Sequence, residues 1–184
     1  MIPTLDLCAP YIAPETIQAV IQVESSGNPL AINVNGVGTF SPTDLNQAIA
    51  IAKYFIAQGR KVDLGLMQVD SENLASSGQT VRTIFDPCAN IAAGGRILEN
   101  DYRTALRAGQ IGASALDAAL SAYNTGSLTA GFYNGYVQKY HAGRITYSNA
   151  SANIPSGNMT LYSRVVSNAT PSAEDGMTLY IKEK

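Results

Sequence analysis

The segment IQAVIQVESSGNP, residues 17–29, builds an apolar helix face and then interrupts it. Ile17, Val20 and Ile21 recur at i, i+3 and i+4, and the next position on that face, i+7, is Glu24. Gly27, Asn28 and Pro29 then stop the helix. Three readings of Glu24 stand at this stage. Its side chain reaches water from the helix end; or it is half of a buried ion pair, although no Lys or Arg lies within a turn of it; or it is a catalytic acid. A carboxyl held against apolar walls has its charged form disfavoured and keeps its proton nearer neutrality. The abrupt helix end sets it beside a turn, where a cleft can form.

The rest of the chain reads as mainly α, in the α+β class, with a helical body and a small β patch near residues 30–69. Pro14 suits the first position of the Glu24 helix. Asn35-Gly36 between β-branched residues predicts a hairpin or turn. Ser41-Pro42-Thr43-Asp44 reads as N-cap, N1 and capping box of a helix that ends at Gly59. Lys61 to Val69 is β-rich and punctuated by Gly65, which suggests a strand or tight bend with close backbone approach. Asp70 or Ser71 caps a short helix ending near Gly78. Asp86-Pro87 opens a longer helix whose Ala92, Ala93, Gly94 and Gly95 would admit a neighbouring helix. Ser114-x-x-Asp117 reads as a second capping box, for a helix stopping at Asn124-Thr125-Gly126, and a last short helix covers Tyr133 to His141. Residues 1–143 therefore form one domain. Residues 144–184 are a polar tail in which Met-Thr-Leu-Tyr occurs twice, at Met159–Tyr162 and Met177–Tyr180. The repeat reads either as coincidence or as two short strands that pair, or that add to a partner's sheet edge.

Bulk properties exclude several functions. Of 184 residues 46% are hydrophobic and 14% charged, and the net charge is −2, with no Lys/Arg cluster. The electrostatic footprint of a nucleic-acid binder is missing. No apolar run approaches the roughly 20 residues of a membrane span. Metal-binding patterns are absent: there is neither C-x-x-C nor an EF-hand loop. No cofactor is expected. His141, the single histidine, lies in a helix-end context and has no nucleophile motif to serve. Cys8 and Cys88 are either a long-loop disulfide or two buried thiols.

Three short motifs carry a resemblance. Glu24-Ser25, Gly65-Leu66-Met67-Gln68 and Ala122-Tyr123-Asn124 resemble, in order, the Glu-Ser, Gly-Leu-Met-Gln and Ala-Tyr-Asn motifs of the soluble lytic transglycosylases. Asn28-Pro29-Leu30-Ala31-Ile32, Asn35-Gly36, Val62-Asp63-Leu64, Asn73-Leu74, Phe85-Asp86-Pro87-Cys88 and Leu120-Ser121-Ala122 look like the members of that family found in type IV secretion and conjugation systems. The likeness covers residues 5–141 and leaves out the tail.

The resemblance implies a lysozyme-like fold that cleaves the β-1,4 bond between N-acetylmuramic acid and N-acetylglucosamine in peptidoglycan, leaving a 1,6-anhydro end. Glu24 would serve as acid and then base, oriented by Tyr123, with Asn124 bracing the segment that holds Tyr123. Gln68 would contact an N-acetyl or hydroxyl group, Gly65 would allow close approach and Met67 would supply packing. Ser25 would brace the helix end. Asn33 stands where many relatives have Ser, still a polar group near the glutamate. Tyr136 either stacks on a sugar ring or is buried. Two alternatives accompany this reading. In a true hydrolase, Asp63 or Asp70 would supply a second carboxylate, although Asp63 reads as a bend residue and Asp70 as the cap of a helix starting at Ser71. In a glycan-binding assembly factor, the tail would recruit type IV secretion channel proteins. A peptidoglycan substrate implies a periplasmic location and an export signal outside this numbering, and that oxidising setting favours a Cys8–Cys88 bridge.

Overall fold

The computed structural model describes residues 5–141. The tail expectations, including the repeated Met-Thr-Leu-Tyr, fall outside the described residues. The chain divides into two compact units, one ending at Arg96 and one beginning at Ile97.

In the first unit a short helix, α1 (Leu5–Cys8), precedes α2 (Pro14–Ser25). Pro14 occupies the start of α2, where its missing N–H costs nothing. Thr16, Ile17, Val20 and Ile21 form the buried face. The stop is sharper than the Gly27 signal suggests. Ser26 itself turns left-handed, at φ 52°, and its N–H closes on the Gln22 carbonyl.

The β patch is a four-stranded antiparallel sheet of β1 (Ile32–Val34), β2 (Gly38–Phe40), β3 (Val62–Leu64) and β4 (Val69–Asp70), in the order β2-β1-β3-β4. Strand alternation puts Ile32, Val34, Val62, Leu64 and Val69 on the buried side. The opposite side carries a polar row: Asn33 pairs in register with Thr39 and with Asp63, and Asp63 with Asp70. The helix α3 (Leu45–Ala57) is inserted between β2 and β3 and packs on β1 and β3. Its cap is Asp44, not Ser41. The Asp44 carboxylate accepts from the Gln47 N–H at 2.9 Å, and Gln47 Oε1 accepts from the Thr43 N–H at 2.8 Å. The cap is thus Asp44 with Gln47 reaching back to the residue before it, three residues later than the Ser-Pro signal suggests, because Asp44 supplies the acceptor.

Asp86 caps α4 (Pro87–Arg107) through the Ala89 N–H. At Ala92 and Gly95, α4 meets the link between α1 and α2. Tyr11 donates to the Ala92 carbonyl at 3.3 Å, and a Cβ on Gly95 would lie 3.1 Å from Ala9 Cβ. A disulfide between Cys8 and Cys88 ties α1 to the start of α4 across 80 residues.

The second unit contains the end of α4, then α5 (Gly112–Thr125) and α6 (Ala130–Tyr133). Leu98, Ala105, Leu116, Ala119 and Leu120 are buried. Ser114 does not cap α5, which begins two residues earlier; its hydroxyl donates back to the Ile111 carbonyl at 2.7 Å. Gly126, at φ 72°, ends α5 as expected. The expected last helix is broken: α6 is followed by a turn at 134–137 and helical residues 138–141. His141 Nε2 lies 3.1 Å from Asp117 Oδ2, so a carboxylate, rather than a helix dipole alone, accounts for its placement.

Replacing both Cys8 and Cys88 by Ser should lower unfolding free energy by about 2–4 kcal/mol, since the bridge restricts a long loop of the unfolded chain. Denaturant titration of oxidised protein and of the double variant measures it.

Candidate active site

Glu24 lies in the last turn of α2, half-buried. The neighbouring Ser25 fixes that turn. Its hydroxyl is 2.7 Å from the Leu66 carbonyl and 3.1 Å from the Ile21 carbonyl, so the end of α2 is tied to the Gly-Leu-Met-Gln segment 41 residues away.

That segment is the tight turn between β3 and β4. Gly65 adopts φ 77° and Gln68 φ 47°, a left-handed conformation that costs a non-glycine residue on the order of 1 kcal/mol or more. Asn90 of α4, only 1% exposed, holds the turn in place. Its Nδ2 donates to the Leu64 and Ile84 carbonyls at 2.8 and 2.9 Å, and its Oδ1 accepts from the Met67 N–H at 2.8 Å. The close approach expected at Gly65 is therefore made by Asn90: a Cβ on Gly65 would come within 2.9 Å of Asn90 Cγ. Gly65 is buried and its open flank is filled by protein. Met67 is fully buried, in keeping with a packing role. Gln68 is half-exposed, and its Nε2 donates to the Gly65 and Ala31 carbonyls at 2.8 and 3.2 Å.

Asn33 sits on the polar side of β1, and its Nδ2 donates to Asp63 Oδ2 at 2.9 Å. Asp63 is not a bend residue; it lies in the middle of β3, because the adjacent Val62 and Leu64 bury the other face. Desolvation raises the pKa of Asp63 above the usual carboxylate range, the Asn33 hydrogen bond opposes that, and Asp70 adds to it. Asp70 is the cap, accepting from the Glu72 N–H at 2.8 Å, but the expected short helix reaching Gly78 is only a 3-10 turn, Ser71–Asn73, followed by turns at 74–78.

In the second unit Tyr123 is half-buried on α5. Asn124 is exposed, and its Oδ1 accepts from Asn134 Nδ2 at 3.2 Å, which links α5 to the turn after α6. Tyr136 is 3% exposed; its hydroxyl is 2.7 Å from that of Tyr140 and the two rings meet edge to face. Of its two readings the structure gives burial, and the ring presents no open face to a sugar. Ser121, fully buried, donates to the Ser127 carbonyl at 2.6 Å and accepts from the Gly131 N–H at 2.8 Å. Asn90 lies outside every motif, and Ser121 lies within Leu120-Ser121-Ala122 without a role assigned to it; both are supports of the site's segments. The signal for each was a polar residue on an otherwise apolar helix face.

Residues 6–145 match the transglycosylase SLT domain. The chain belongs to that family. A mostly helical body with a small antiparallel sheet is the lysozyme-like fold the SLT domain implies. The chain is 43% identical to the type IV secretion system protein virB1 of Brucella abortus over 150 residues, covering 76% of this chain and 63% of the relative. It is 38% identical to protein virB1 of Agrobacterium fabrum over 133 residues, covering 72% of this chain and 54% of that one. The chain thus spans less than two thirds of the length of either relative. No solved structure matches it. Among the described residues of the SLT chain, no helix is long and apolar enough to cross a membrane.

Two predictions follow from these environments. Asn90→Leu should destabilise the protein by about 3 kcal/mol or more, because it leaves buried backbone groups unpaired, and a thermal or denaturant melt reads the loss. Asp101, on α4, has its pKa raised to about 6 by burial. Its folded pKa exceeds its unfolded one, so its stabilising contribution is full below the unfolded value of 3.8 and disappears as pH rises through about 6. Asp101→Asn should therefore be more stable than the parent at pH 7, with a flatter stability profile between the two values.

Proposed function

We propose that this chain is a peptidoglycan lytic transglycosylase in which Glu24 works as acid and then base. The observation that carries the reading is the Ser25–Leu66 hydrogen bond. It fastens a half-buried glutamate at a helix end to the Gly-Leu-Met-Gln turn, within a chain of the SLT family. Glu24 lies in the last turn of α2. A protonated carboxyl is the form needed to begin the reaction.

In the first half, Glu24 gives its proton to the bridging oxygen and the bond from that oxygen to C1 of the N-acetylmuramic acid breaks. In the second, the C6 hydroxyl of the same sugar attacks C1, and its proton passes to the Glu24 carboxylate. A C6–O–C1 bond has formed, the glycosidic bond has been lost, and Glu24 is protonated again without water being consumed. The substrate's N-acetyl group steadies the positive charge at C1. By resemblance, Tyr123 orients Glu24 and Asn124 braces its segment. Gln68 and Asn33 contact the glycan, while Gly65 and Met67 shape the turn that carries Gln68.

A hydrolase would need a second carboxylate on the scissile bond. Asp63 is engaged by Asn33 and Asp70 by the Glu72 N–H, and both arrangements favour structural work. The virB1 relatives support a role beside a type IV secretion apparatus, where local wall opening would be required, and the Cys8–Cys88 bridge suits a periplasmic setting. Recruitment of channel proteins by residues 144–184 belongs to the same proposal.

Digestion of purified sacculi followed by mass analysis tests the reaction. The expected products carry 1,6-anhydro ends, and Glu24→Gln should lower their yield by at least about 100-fold with an unchanged melting temperature. Reducing ends in their place would identify a hydrolase.

A further inference from the structure

The polar side of the sheet contains a hydrogen bond whose direction is fixed by chemistry. An ionised carboxylate only accepts, whereas an asparagine amide donates through one end and accepts through the other. Asp63 Oδ2 lies 2.9 Å from the Asn33 amide nitrogen, so the donating end of Asn33 is turned toward Asp63 and the accepting end away from it. The two residues are register partners on adjacent strands, Asn33 on β1 and Asp63 on β3. Backbone pairing thus sets their separation. Asn33 is half-buried, so one end of its amide meets protein and the other can meet a ligand.

Gln68 repeats the arrangement. Both of its amide hydrogen bonds are donations from Nε2, to the Gly65 and Ala31 carbonyls. Ala31 directly precedes β1 and Gly65 directly follows β3, so both amides are oriented by the same pair of strands. Each is left with its oxygen for other use.

We propose that Asp63 is a positioning residue, which turns the Asn33 side chain so that its carbonyl oxygen accepts a hydrogen bond from a donor group of the glycan. The proposal rests on the transglycosylase reading and deepens it. It gives the polar row a sign: this part of the site offers acceptors, and it selects hydroxyl or amide N–H groups of the sugar over its carbonyl and carboxylate oxygens. It also gives Asp63 work that is neither nucleophilic nor basic, since its contact is with Asn33.

Protonation of Asp63 would remove the constraint, because a carboxylic acid can donate to the other end of the same amide. The charges acting on Asp63 are Asp70, across from it on β4, and Lys61, which precedes β3 and is itself paired with Glu72 at 2.6 Å. Asn33 on β1 is neutral, and Lys53 on α3 is exposed. Asp70 and Lys61 oppose each other, and burial raises the Asp63 pKa. The constraint therefore loosens at a less acidic pH than for an exposed aspartate.

The test uses the full chain as wild type, Asp63→Asn and Asp63→Glu. In proton–nitrogen NMR spectra of the wild type, the Asn33 side-chain amide signals should shift with a single acidic titration, and that shift should be absent in Asp63→Asn. On soluble glycan strands Asp63→Asn should lose about tenfold in kcat/KM, the scale of one oriented hydrogen bond. It should also lose the part of the acid limb that the wild type owes to Asp63. Asp63→Glu, which keeps the carboxylate, should recover part of the rate. Wild-type kcat/KM and an unchanged acid limb in Asp63→Asn would overturn the proposal, as would Asn33 signals indifferent to Asp63 protonation. A wild type that cuts no glycan would sink the functional reading instead, and the amide titration would still decide whether Asp63 orients Asn33.

Discussion

One buried side chain, Asn90, holds the first unit's motifs to the helical body. Its amide satisfies two carbonyls and one N–H around the Gly65–Gln68 turn, all within 2.9 Å. A turn so tight leaves backbone groups with no partners of its own, and unpaired backbone groups are costly when buried. Asn90 removes that cost and in return demands a residue without a Cβ at Gly65. Once the turn is fixed, the Leu66 carbonyl has a fixed position, and Ser25 can grip it. The place of Glu24 is therefore inherited from α4 by way of the turn.

The second unit solves a similar problem by a similar device. The chain leaving α5 is held by Ser121, which both donates and accepts across the loop to α6, while Thr125 donates to the Ser121 carbonyl at 2.7 Å. A Cβ on Gly131 would lie 2.7 Å from Ser121 Cα, so this loop too is closed around a missing side chain. In each unit a motif with chemical potential rests on a small or amide side chain whose own function is geometric.

Periodicity and stop signals revealed the helices because those signals are local. Pro14, Asp86-Pro87, Gly59 and Gly126 each act within a turn of where they stand. Where two local signals compete, as at Ser41 and Asp44, sequence alone does not decide between them; the structure uses Asp44. Asp63 is ambiguous for a different reason. The β character of 61–69 is legible, but whether Asp63 stands in its strand or its bend is decided only by pairing with Asn33 and Asp70. Glu24 was visible as a fault in an apolar stripe. The reason it is placed as it is, namely Asn90, depends on a contact spanning 23 residues that no local pattern encodes. Tyr136 shows the converse limit: an aromatic near a glycine looks the same in sequence whether its ring greets a sugar or another tyrosine.

The bridge from Cys8 to Cys88 encloses more than it joins. Glu24, Asn33, Asp63 and the whole Gly-Leu-Met-Gln turn lie on the stretch of chain between the two sulfurs. That stretch is a covalent ring. A protease that severs one exposed loop of it, such as the tip at Val37, would leave two fragments still tethered, with every one of those groups retained on the same molecule. A single nick in that stretch opens the ring without shedding any part of it.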